Sequence, residues 1–194
     1  MGRKSVAVLD IRSSEICILI GERGVNNTFV FKASKTEPYD AYDDTAFFDI
    51  GKLADAISRA LTAVEQICDE RVRELFVGVP GAFTRVLPKE QVLGFPKRRR
   101  IGQKEIDALF ASGKEELDGY RFIRATSMIY VTGDNRRVVN PVGLSSEVLS
   151  GVLSYFYCSD YFAEAMESIF ADTKIALRFL PAQLAMASYL IPSE

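Results

Sequence analysis

Asp10, Ser13 and Ser14 stand together in the stretch Val6 to Gly24, VAVLDIRSSEICILIGERG, at the end of one β-rich run and in the polar turn before a second. In that setting they could do phosphate chemistry. A carboxylate would hold water on Mg²⁺, and hydroxyls with neighbouring N–H groups would donate to phosphate oxygens. Such a clamp wants glycine where the backbone must approach the phosphates, and this turn has Arg12. A side chain there crowds that approach, and a left-handed turn residue would add about 1–2 kcal/mol. Alternatively, the guanidinium itself grips a phosphate. The plainer reading is an ordinary hairpin turn.

Two other groups of residues could serve recognition. Lys97, Arg98, Arg99 and Arg100 form a compact basic run after Phe95 and Pro96. It reads either as a solvated loop before the next helix or as a site for phosphate, anionic lipid or an acidic protein surface. Arg136 and Arg137 extend it if the fold brings them near. Aromatic interleaving is sparse, so a stacking platform for single-stranded nucleic acid is not expected. Farther on, strand alternation sends Tyr155 and Tyr157 to the face opposite Phe156, and an open face there would suit a protein interface.

Composition excludes several chemistries. The chain has no histidine, which removes histidine-based triads, general bases and metal sites. A two-metal nuclease needs convergent carboxylates; Asp10 and Glu65 could supply two, but Leu75 to Pro80 offers no acid. No catalytic residue and no metal ligand is assigned, beyond Asp10 acting through Mg²⁺-bound water if a nucleotide binds. Cys17, Cys68 and Cys158 are widely spaced and read as small buried hydrophobes in a reducing compartment. A net charge of −2 argues against a whole surface built for nucleic acid. The N-terminus lacks an unbroken apolar signal core, and Phe179 to Ile191 is too short to span a bilayer, so a cytoplasmic protein is expected.

The elements that must position these residues follow from pattern. Lys4–Asp10, Glu15–Ile20 and Thr28–Ser34 read as three successive antiparallel strands, followed by an acidic connection, EPYDAYDD. Asp49 can cap a helix whose apolar residues Ile50, Leu53, Ile57, Leu61, Val64 and Ile67 recur at helical spacing. Val72–Pro80 is a buried strand, expected parallel to a neighbour after a helical crossover. From residue 81 to 158 the pattern is a small α+β unit, with a helix at 103–112 and long strands at Tyr120–Val131 and Glu147–Cys158. Ser159 or Asp160 caps a further helix, then come the strand KIALRFL and a final helix opening near Pro181. Residues 1–80 with 159–194 thus make a discontinuous mixed-sheet α/β core of ribonuclease-H-like order, with 81–158 inserted.

That order, with VLDIRSSEICILIGE, RELFVGVPG, NPVGLSSEVLSGVLSYFYC, SDYFAEAMESIF and LPAQLAMASYL, resembles the first half of the FtsA family of bacterial cell-division proteins, in the actin and Hsp70 superfamily. The most specific piece holds Asn140, Pro141, Gly143 and Leu144. Ser146 and Leu149 depart from the family pattern, which often has a glycine and a basic residue there. The resemblance implies an actin-like subdomain 1A and an inserted subdomain 1C, the latter taking part in protein contacts. A second phosphate loop, the membrane-binding helix and the FtsZ-binding subdomain would lie in a second half. For this chain alone no cofactor is then expected, with Mg-ATP binding only where a full actin-like cleft exists. Asp10, Ser13 and Ser14 match the family's acid and hydroxyl positions. The implied partners are division or envelope-assembly proteins, with self-association and only indirect membrane contact, at the inner face. PilM, of type IV pili, is a neighbouring assignment within the superfamily.

Overall fold

Apolar residues alternate along the opening strands, and the backbone pairs them accordingly. A computed structural model describes residues 5–25, 28–40, 42–43 and 45–184. In chain order the first elements are β1 (Ser5–Ile11), β2 (Glu15–Arg23), β3 (Phe29–Pro38), α1 (Ile50–Cys68) and β4 (Glu74–Val79). A 3-10 turn, Gly81–Phe83, leads to β5 (Thr84–Arg100), α2 (Gln103–Ser112), β6 (Tyr120–Thr132), β7 (Arg137–Val138) and β8 (Ser145–Ser159). The chain continues with α3 (Asp160–Ile169) and β9 (Ala176–Pro181). It divides into two compact units, Met1–Thr84 with Cys158–Glu194, and Arg85–Tyr157.

In the first unit the sheet order is β3-β2-β1-β4-β9. β1 pairs antiparallel with β2, β2 antiparallel with β3, and β1 parallel with β4, as the strand-helix-strand order requires. β4 pairs parallel with β9. Ala7, Leu9 and Ile11, Ile16, Ile18 and Ile20, and Leu75, Val77 and Val79 are all buried, a period-two pattern on each strand. α1 starts where Asp49 Oδ1 accepts the Lys52 N–H at 3.0 Å, and Asp69 closes it in the left-handed region. The helix buries Leu53, Ala56, Ile57, Ala60 and Val64, whereas Ile50 and Ile67 at its ends stay exposed. Ser159 caps α3 by accepting the Phe162 N–H at 3.2 Å. Pro181 is the last residue of β9 and helical structure starts directly after it, at Ala182; the rest of the expected final helix lies outside the described residues.

The second unit is a four-stranded sheet, β5-β8-β6-β7, with α2 on one face. Its core joins Ile106 and Leu109 of α2 to Tyr130, Leu149, Leu153, Tyr155 and Tyr157. The run Lys97–Arg100, one reading of which was a loop, is the end of β5. β5 is an edge strand, and an edge tolerates both the charges and the prolines Pro88 and Pro96 that read as loop signals.

Candidate functional site

The parallel pairing of β1, β4 and β9 brings their carboxyl ends to one edge of the sheet, where open α/β folds place ligands. Asp10 stands opposite Gly78, and Val79 opposite Pro181. A Cβ on Gly78 would lie 3.9 Å from Asp10 Oδ1, and one on Gly81 only 2.4 Å from the Gln183 amide nitrogen. The Gln183 amide therefore rests against the backbone just past β4, and Gly81 leaves it that room.

The β1–β2 tip is built from Arg12, Ser13 and Ser14. The Arg12 N–H donates to the Glu15 carbonyl at 2.9 Å, the Tyr39 hydroxyl donates to the Arg12 carbonyl at 2.7 Å, and the Tyr39 N–H donates to the Ser14 carbonyl at 3.2 Å. Positive φ among the described non-glycine residues occurs at Asp69 and Asn135, not at Arg12, so the turn carries no left-handed penalty. The guanidinium is held from two sides. Its Nε donates to Asp10 Oδ2 at 2.8 Å and its Nη1 to Glu15 Oε1 at 2.6 Å. The hydrogen bond to Asp10, then that to Glu15, raises the Arg12 pKa above its ordinary value. Ser13 and Ser14 are exposed.

A nucleotide clamp requires a carboxylate free to hold metal-bound water and backbone free to meet phosphate. Here Asp10 already pairs with a cation of the chain, and a phosphate taken by Arg12 would have to compete with two carboxylates. In this arrangement Asp10 Oδ2 and the Arg12 guanidinium are already engaged, with each other and with Glu15. Glu15 and Tyr39 complete the arrangement and went unassigned in the sequence reading. The position of Glu15, three residues after Arg12 across a tight turn, was the available signal for one of them. Tyr42 also lies near: burial first, then the Asp10 charge, raises its pKa.

Tyr155 and Tyr157 do not form an interaction face. Both are buried, and their side of β8 is the side that α2 covers. The Tyr155 hydroxyl donates to the Phe110 carbonyl at 2.9 Å and the Tyr157 hydroxyl to the Glu115 carbonyl at 3.0 Å, so the polar ends are used internally. Tyr155→Phe is expected to cost about 1 kcal/mol in urea unfolding, the usual worth of one such bond, while leaving partner capture unchanged. Lys97, Arg98, Arg99 and Arg100 are all exposed; Arg99 pairs with Glu105 at 2.8 Å and lies over the Phe95 ring at 5.6 Å.

Among the described residues no group of three or more Cys, Asp or Glu side chains is placed to hold a metal ion. No described helix is long and apolar enough to cross a membrane.

No family model matches the sequence, and no curated protein matches it. Solved structures do resemble the fold. A chain of a PilM–PilN type IV pilus biogenesis complex is 10% identical with a TM-score of 0.58, over 97% of this chain and 50% of that one. A Bacteroides thetaiotaomicron protein with an actin-like ATPase fold is 7% identical with a TM-score of 0.40, over 97% of this chain and 56% of that one. The chain spans about half the length of these neighbours. Its fold is a ribonuclease-H-like (actin-like) mixed-sheet core carrying an inserted α+β unit.

Proposed function

We propose that this chain is a non-catalytic assembly module of FtsA-like kind, acting through protein–protein contacts in bacterial division or envelope assembly. The carrying observation is Arg12 seated between Asp10 and Glu15 at the position where an actin-like fold would meet phosphate. The PilM–PilN neighbour, itself a complex in pilus biogenesis, supports a protein-binding role in an envelope machine. On this reading the protein works at the cytoplasmic face of the membrane. Calorimetric titration with Mg-ATP is expected to give no saturable heat, while pull-down from bacterial lysate or light scattering detects a partner or self-association. A strict monomer with robust ATP turnover would sink the proposal.

The alternative is an actin-like ATPase whose site is completed by a second half. The alignment of Asp10, Gly78 and Gly81 at the carboxyl ends of parallel strands favours it. Saturable Mg-ATP binding that Asp10→Ala abolishes would establish this second reading in place of the first.

A further inference from the structure

At one end of the second unit three chain segments converge. The end of β5 meets the turn before β8: the Ile101 N–H donates to the Leu144 carbonyl at 2.8 Å, and the Gly143 N–H to the Ile101 carbonyl at 2.9 Å. The β6–β7 hairpin joins them, since the Gly133 N–H donates to Ser146 Oγ at 2.9 Å. Gly143 has φ +89°, which favours glycine, and the Arg100 guanidinium would meet a Cβ there in ordinary contact at 3.4 Å. This end of the sheet carries Lys97, Arg98, Arg99 and Arg100 on the edge strand β5 and Arg136 and Arg137 at the β6–β7 hairpin, with β8 and β6 between the two groups. Arg99 pairs with Glu105 and Arg136 with Asp134. The side chains of Lys97, Arg98, Arg100 and Arg137 form no ion pair among the described residues.

Exposed apolar side chains lie in the same turn region, Val142 next to the Gly143 that Arg100 approaches and Val139 two residues after Arg137. Val139 is 73% exposed and Val142 48% exposed, both in the turn between β7 and β8. Charge is also segregated: Arg85–Tyr157 holds twelve Lys and Arg against eight Asp and Glu, while the chain as a whole is net −2. We propose that this end of the second unit docks directly on an anionic lipid surface, with the four unpaired cations at the headgroups and Val139 and Val142 in the interface. Cations and exposed aliphatic side chains at one end of a sheet match a lipid surface, which offers anionic headgroups above an apolar layer. An acidic protein would answer the charge but leave the valines without a stated partner. A single-stranded nucleic acid would want open aromatic rings, and Phe95 lies half-buried beneath Arg99. The site lies in the second unit and shares no residue with the β1–β2 hairpin, so it stands whichever reading of that hairpin holds.

The test is co-sedimentation of the full chain with phosphatidylcholine vesicles, with and without phosphatidylglycerol, at low and high salt. Binding is expected only with the anionic lipid and is expected to weaken with salt. Changing Lys97, Arg98, Arg100 and Arg137 together to Gln should weaken it on the order of a hundredfold or more, since each cation near such a surface contributes about fivefold. Val139→Ser with Val142→Ser keeps the charge and should weaken vesicle binding severalfold, with circular dichroism confirming that both variants fold. Absence of binding, equal binding to neutral vesicles, or an unchanged quadruple variant would overturn the proposal. So would capture of soluble polyglutamate or a single-stranded oligonucleotide as tightly as anionic vesicles.

Discussion

Phe162→Ala is expected to destabilise the first unit by about 3–5 kcal/mol, the usual cost of emptying a buried aromatic site. Phe162 is fully buried at the start of α3. Its ring centroid lies 5.1 Å from that of Phe83, 5.8 Å from Phe47 and 6.2 Å from Phe179. These partners come from the loop before α1, the turn after β4 and the strand β9, so one side chain ties together segments far apart in sequence. Tilted and edge-on rings add to the area term, and the void left by alanine cannot close without moving several of them. Urea unfolding should show the midpoint falling by about 1 M or more with an unchanged slope. A midpoint shift of only a few tenths of that would mean that Phe162 does not hold this cluster together. Tyr161 is the internal control: it is 38% exposed, its hydroxyl oxygen accepts the Phe47 N–H at 3.2 Å, and its alanine variant should cost much less.

Leu153→Ala should cost about 2–5 kcal/mol, and the loss should be confined to the second unit. Leu153 is fully buried in β8, in the core that α2 closes with Ile106 and Leu109. That core draws its buried residues from within Arg85–Tyr157. Hydrogen exchange should therefore accelerate in α2, β6 and β8 while α1 and β1 keep their protection. Equal acceleration in both units would contradict a separate core.

The strand and helix order was legible because its signals are local. Asp49 and Ser159 announced their helices by residue type, and each accepts the N–H of the third residue on. Alternation marked β1 and β2, and helical spacing marked α1, each a consequence of backbone geometry within a few residues. The edge strand β5 was harder to read. Its prolines and its run of Lys and Arg mimic a loop, and only the sheet order shows that one side of the strand has no neighbour to disturb. The candidate site was legible in part: Asp10, Arg12, Ser13 and Ser14 do share the hairpin, but that Arg12 bridges Asp10 and Glu15 depends on side-chain reach across the turn.

By itself the sequence determined periodicity, caps, turn positions and which residues share a face of a strand, because covalent geometry and short-range hydrogen bonding settle these. Tyr155 and Tyr157 had to lie together, opposite Phe156. Only the tertiary structure decided that α2 covers the tyrosine face, and that the end of β5 meets the turn before β8. Burial and convergence are made by segments tens of residues apart, whose packing energy no local pattern contains.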